Sequence, residues 1–204
     1  MVARAGADAI GLNFYPNSPR SIDQTQARKI IAALPDHVVK VGLFVNATLE
    51  QVYRTFDTLG LDLIQLHGDE SPEFIEQLGN RPVMRAFRIR SDRLKPVRDY
   101  MDRCRFLQHP PRLVLFDSQV CGAYGGTGTV GDWPALAAYA AAGVGPPMVL
   151  AGGLTADNVM QAIRAAQPSA VDTASGVEIA PGRKSEELVR RFVTSARQAF
   201  GLDD

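Results

Sequence analysis

The feature that most constrains this chain is alternation: short apolar runs with strand character recur, each followed by a stretch with helical spacing. ADAIGLNF (Ala7–Phe14) reads as a strand. A helix follows from about Ile22 to Leu34, with Ala27, Ile30, Ile31 and Leu34 at helical spacing. The pattern repeats as strand Val38–Val45 with helix Leu49–Leu59, and as strand Leu61–Leu66 with a helix opened by Ser71-Pro72-Glu73. That opening suits a helix start: serine caps, proline fits the first turn and glutamate complements the dipole. Strand Val83–Phe87 precedes a helix from about Asp92 to Arg103, and strand Leu113–Phe116 precedes a helix over Trp133–Ala142. Strand Met148–Ala151 leads to a helix capped by Thr155 and running to about Ala166. Strand Ala170–Thr173 leads to a last helix over Glu186–Phe200.

Several of these strands are apolar on both faces, as buried parallel strands are. Strands alternating with helices give an α/β fold, either a doubly wound sheet or a closed barrel. The chain holds about seven strand–helix units, and a closed (β/α)8 TIM barrel takes eight. The opening MVARAGA reads as the tail of a helix already under way. The expectation is one barrel domain over residues 1–204, N-terminally incomplete, with the first β-strand and most of the first helix absent. A flavodoxin-like sheet of fewer strands is the rival, which the count and the glycines after several strands disfavour.

Composition narrows the function classes. Hydrophobic residues make up 46% and charged residues 22%, enough apolar material for a sizeable core. Lys+Arg and Asp+Glu are both 22; a general nucleic-acid binder would carry a basic surplus. Two cysteines, Cys104 and Cys121, make no disulfide framework, so a cytoplasmic setting is expected. No apolar stretch approaches the roughly 18 residues of a membrane helix. The sequence carries no signature of a particular oligomeric state.

In a barrel the loops after the strands form the active face. Here they bear Arg20, His67, Asp117, Gly152, Gly153, Ser175 and Gly176. Barrels often bind phosphate through the loops after their last two strands, by backbone N–H groups and a helix N-terminus. Gly152-Gly153 and Ser175-Gly176 stand at those places, and the other reading is ordinary turn glycines. Arg20, in FYPNSPR, could grip a carboxylate with two hydrogen bonds, or be a solvated loop arginine. His67, in QLHGDE, could titrate near neutrality or be a structural strand-end histidine. Asp69 and Glu70 read as loop and helix-start charges. Asp117 follows an apolar strand directly; a partly desolvated carboxylate there is a usable general acid, and a cap for the glycine loop is the plainer alternative. Cys121 has no neighbouring His or Lys to make it a thiolate, and the place of Asp172 is open.

GLNFYPNSPR, VGLFVN, LIQLHGDE, DSQVCGAYGGTG, LAGGLTADNV and VDTASGVEIAPGRKS occur in order across nearly the whole chain. Together they resemble phosphoribosylanthranilate isomerase, a (β/α)8 barrel enzyme of tryptophan biosynthesis. The resemblance implies no metal or organic cofactor and one small-molecule partner, N-(5-phosphoribosyl)anthranilate. The implied reaction is its Amadori rearrangement to 1-(2-carboxyphenylamino)-1-deoxyribulose 5-phosphate. By motif position, Asp117 is the general acid on the sugar ring oxygen, and Arg20 holds the anthranilate carboxylate. By the same motif positions Gly152, Gly153, Ser175 and Gly176 lie at the phosphate, and the strand-end reading adds His67 as a further expected substrate-binding residue.

Two departures from the family stand out. Its first strand ends in a Lys-(Ile/Val)-Cys-Gly motif whose cysteine is the base, and no such motif occurs here. Thr129 stands where many relatives have lysine after GGTG. The alternatives are a non-catalytic phosphate-binding barrel remnant, or another phosphosugar barrel enzyme such as indole-glycerol-phosphate synthase. The latter would be expected to use strand-end lysine and glutamate that are not so placed here.

Overall fold

Local chemistry sets the helix starts. In the computed structural model, which describes residues 1–88, 94–117, 133–143 and 145–202, Asp23 and Gln26 bond reciprocally ahead of α1 (Gln24–Ala32). Thr48 and Gln51 do the same ahead of α2 (Leu49–Leu59). Each pair satisfies two N–H groups that have no acceptor within the helix. Ser71 caps α3 (Pro72–Gln77), whose first residue is the proline.

The chain packs as two units, one of Met1–Ala86 with Tyr100–Arg112, the other of Phe87–Asp99 with Leu113–Asp204. In the first unit β1 (Ala9–Asn13) pairs in parallel with β2 (Val39–Phe44), from Ala9 opposite Val39 to Asn13 opposite Leu43. β2 pairs in parallel with β3 (Leu63–Leu66), and β3 with the start of β4 (Val83–Arg88). All four residues of β3 are buried, as expected of a parallel strand covered on both faces. One core cluster gathers Phe44, Val52, Ile64, Leu66, Ile75, Leu78 and Val83 with Cys104, which lies on α4 (Leu94–Phe106). Cys104 is thus a core residue, and burial pushes its thiol up to about 11.

In the second unit β5 (Leu113–Asp117) pairs in parallel with β6 (Met148–Ala151), and β6 with the two-residue β7 (Ala170–Val171). Phe116 is fully buried, in edge-to-face contact with Tyr139 on α5 (Trp133–Ala142) at 5.0 Å between ring centroids. Val159, Ala162, Ile163 and Ala166 form the buried face of α6 (Val159–Ala166). Beyond β7 a short hairpin, β8 (Glu178–Ala180) and β9 (Arg183–Lys184), precedes α7 (Glu186–Phe200), which Ser185 caps. Apart from the antiparallel β8–β9 hairpin, the paired strands within each unit run parallel, so the loops that follow them leave from one end of that unit's sheet.

Three local expectations differ from what forms. Thr155 does not cap α6: the helix begins at Val159, and Thr155–Asn158 is a turn in which Asn158 Oδ1 accepts from Thr155 N at 2.8 Å. The last strand is shorter than Ala170–Thr173, because Thr173 turns its hydroxyl to the Leu154 carbonyl at 2.7 Å. The stretch GVEIAPGRKS, to which the sequence reading gave no element, contains the β8–β9 hairpin. At the start of the chain, Val2–Ala5 forms a single 3-10 turn ended by Gly6. Among the described residues no helix is long and apolar enough to cross a membrane.

Candidate active site

In the first unit the loop after β1 is built by its own side chains. Asn13 Oδ1 accepts from Tyr15 N at 2.9 Å, while Asn13 Nδ2 donates to Ser18 Oγ at 3.2 Å. Ser18 Oγ also accepts from Arg20 N at 3.1 Å, and Ile22 N closes the loop on Asn13 O at 2.9 Å. Pro16 and Pro19 limit the backbone between these ties. The half-buried Arg20 therefore projects from an ordered loop rather than a loose one. A planar guanidinium so placed suits two-point binding of a carboxylate.

His67 follows β3, its N–H donating to Phe44 O at 2.9 Å. Gln65 Nε2 lies 3.3 Å from His67 Nδ1. That contact ties the ring to the buried Gln65 side chain. The backbone on both sides of His67 is clamped by residues that sequence reasoning had not marked for this role. Arg85, on β4, donates to Leu66 O and Gly68 O, both at 2.9 Å, and to Ala86 O at 2.8 Å. Glu70 accepts from Gly68 N at 2.9 Å and Asn46 N at 2.8 Å, and stands 3.5 Å from the guanidinium. Tyr100 donates to Glu70 O at 2.9 Å, and its ring lies under the Arg85 guanidinium. Glu70, read from the sequence as a loop or helix-start charge, is a buried structural carboxylate.

In the second unit Asp117 is the last residue of β5 and lies opposite Ala151, immediately before Gly152. It is half-buried, and a carboxylate in a partly desolvated place can hold a proton to deliver. Gly152 and Gly153 both take positive φ, 90° and 67°, a conformation that glycine adopts freely. A Cβ on Gly153 would meet nothing within 4 Å, so open space lies beside the backbone there. Asn158 Nδ2 holds Gly153 O at 3.0 Å. Gly176 is required for the opposite reason: a Cβ there would run into the Leu154 carbonyl. That carbonyl also accepts from Thr173, so the loops after β6 and β7 interlock at Leu154. Ser175 is exposed at the start of the 3-10 turn Ser175–Val177. Two interlocked, glycine-bearing loops present backbone close to solvent without side-chain obstruction, which is what a bound phosphate needs.

The structure thus brings Asp117, Gly152, Gly153, Ser175 and Gly176 onto one end of the second unit's sheet, and Arg20 and His67 onto one end of the first unit's. Cys121 and Thr129 lie outside the described residues. Among the described residues no group of three or more His, Cys, Asp or Glu could hold a metal ion.

Comparison with known proteins adds three kinds of likeness. The family model described as N-(5'phosphoribosyl)anthranilate (PRA) isomerase matches residues 1–195. An N-(5'-phosphoribosyl)anthranilate isomerase of Acidithiobacillus ferrooxidans is 44% identical over 196 residues, 96% of this chain and 89% of that protein. The crystal structure of phosphoribosyl anthranilate isomerase from Thermotoga maritima superposes with a TM-score of 0.83 at 33% identity, covering 97% of this chain and 91% of that one. A crystal structure of the isomerase in complex with reduced 1-(o-carboxyphenylamino)-1-deoxyribulose 5-phosphate gives a TM-score of 0.81 at 31% identity, with the same coverage.

Proposed function

The chain belongs to the N-(5'-phosphoribosyl)anthranilate isomerase family, and from that premise we propose how its residues divide the reaction among them. It is an isomerase of L-tryptophan biosynthesis that converts N-(5-phospho-β-D-ribosyl)anthranilate to 1-(2-carboxyphenylamino)-1-deoxy-D-ribulose 5-phosphate. Our reading takes residues 1–204 as one barrel domain whose parallel strands correspond to the second to eighth of a (β/α)8 barrel, acting in the cytoplasm. The strand–helix alternation and the superposition on solved isomerases support it.

Asp117 gives its proton to the ribose ring oxygen. The C1–O bond breaks as the nitrogen lone pair forms C=N, so ring opening yields a protonated Schiff base. Loss of the C2 proton to a base then moves the electrons to an enolamine, and tautomerisation gives the 2-ketone. Arg20 holds the anthranilate carboxylate, which leaves the substrate amine free to donate its lone pair. His67 is a further substrate-binding residue. Gly152, Gly153, Ser175 and Gly176 hold the 5-phosphate through backbone N–H groups. The base belongs to the family's Lys-(Ile/Val)-Cys-Gly motif, which does not occur within residues 1–204. Cys104 cannot substitute for it, being fully buried with a thiol raised to about 11.

The observation that carries this assignment is the order of groups in the second unit. One carboxylate ends β5, and two interlocked glycine loops follow β6 and β7. Titration calorimetry with the reduced product analogue tests it without requiring turnover. The protein should bind the analogue, with Arg20→Ala weakening it roughly 10- to 100-fold. No binding, or an unchanged affinity in the variant, overturns the arrangement.

A further inference from the structure

We propose that Lys184 is a positioning residue for the phosphate-binding turn at Ser175–Gly176, an inference that rests on the phosphate placement just given. The β8–β9 hairpin delivers the Lys184 ammonium to the Ala174 carbonyl, to which it donates at 2.7 Å. The same ammonium meets Glu178 Oε1 at 2.9 Å. The Glu178 side chain is only 4% exposed and also accepts from Gly182 N at 3.2 Å. Ser185 N donates to Val177 O at 2.9 Å, tying the far end of the hairpin to the turn itself. The lysine is therefore held in place from its own carboxylate side, not swinging in solvent.

The Ala174–Ser175 peptide is planar, so its C=O and N–H point in opposite directions. Pinning the oxygen on Lys184 fixes the direction of the Ser175 N–H, which faces away from the hairpin. On the other flank, Gly176 abuts the Leu154 carbonyl and Thr173 donates to that same oxygen. The turn is thus held from two sides, once by packing and once by a charge-assisted hydrogen bond. Were the 174–175 peptide to flip, a carbonyl oxygen would replace an N–H donor on the face offered to phosphate. Attraction of an anion would become repulsion. Glu178 neutralises the ammonium, so Lys184 acts through the turn's geometry and not as a second cation facing the phosphate.

The test measures two affinities by titration calorimetry: that of the reduced 5-phosphate product analogue and that of its dephosphorylated counterpart. The unsubstituted protein should prefer the phosphorylated ligand. Lys184→Met should lose roughly 10- to 100-fold in affinity for that ligand and stay within twofold for the dephosphorylated one. Lys184→Arg, which keeps a donor and a charge, should recover part of the loss. If Lys184→Met does not fold, Lys184→Arg carries the comparison, with a loss of at least about threefold confined to the phosphorylated ligand. A protein with no preference for the phosphate overturns the phosphate placement and this inference with it. A preference that survives in Lys184→Met, or an equal loss for both ligands, overturns the inference about Lys184 alone.

Discussion

Glu70→Ala probes the buried polar cluster that holds the strand-end loops of the first unit. Glu70 and Arg85 are each 6% exposed. The substitution takes the acceptor from two part-buried N–H donors, those of Asn46 and Gly68, and removes the carboxylate 3.5 Å from a buried guanidinium. Breaking a buried ion pair by deleting one partner costs about 3–5 kcal/mol, and part-buried donors that water can reach add less than the about 1–3 kcal/mol of fully buried ones. These losses overlap because one side chain makes both sets of contacts, so the expected destabilisation is about 4–6 kcal/mol and not their sum. For a chain of this length each kcal/mol lowers the melting temperature by about 2–4 °C, which gives a drop of roughly 10–20 °C. Circular dichroism during heating measures it. Arg85→Met should cost a comparable amount, since Arg85 holds three backbone carbonyls. The double variant should be less destabilised than the sum of the singles by about 1–3 kcal/mol. A Glu70→Ala shift below about 3 °C, or strict additivity, refutes the claim that the pair acts as one buried unit.

In a protein supplied with the family's cysteine base, Asp117→Asn should lower kcat by about 10²–10⁴, since the amide cannot deliver the proton; turnover within twofold of the parent removes Asp117 from that role. Arg20→Ala should cost about 1.5–3 kcal/mol in kcat/KM for the substrate and nothing for an analogue lacking the carboxylate; an equal effect on both ends the carboxylate assignment. Burial raises both the Cys104 thiol, from 9.0 to about 11, and the Tyr100 phenol. Both hold their protons more tightly folded than unfolded, so the stability they confer is complete below about pH 9 and declines as pH rises toward 11. Urea midpoints across that range should fall, and Cys104→Ala should flatten the decline; an identical slope in the variant contradicts the assignment.

Much of the fold was legible because parallel strands covered on both faces need continuous apolar runs, and LDLIQL or MVLA have no other good use. Helix starts were legible where a cap stood alone, as at Ser71. The start of α6 was misread because Asn158 Oδ1 reaches back to Thr155 N, closing a turn after which the helix begins at Val159. The β8–β9 hairpin escaped because strands of three and two residues around Pro181-Gly182 carry no periodicity. The strand-end positions of Arg20, His67 and Asp117 could be read directly, since chain order alone puts them after β1, after β3 and at the end of β5. The clamp around His67 could not, because Glu70 in QLHGDE looks like any loop charge and only the folded chain buries it. One signal was present: Arg85 sits inside VMRAF, and a charge within a buried strand must find partners.

The measurement that bears most directly on the central claim is conversion of N-(5-phosphoribosyl)anthranilate by two purified proteins. One is Met1–Asp204. The other is the same chain with a strand–helix unit carrying Lys-Val-Cys-Gly joined ahead of Met1. The account predicts turnover by the protein that carries the cysteine, abolished there by replacing either that cysteine or Asp117. Turnover that persists in that protein after either replacement would contradict it.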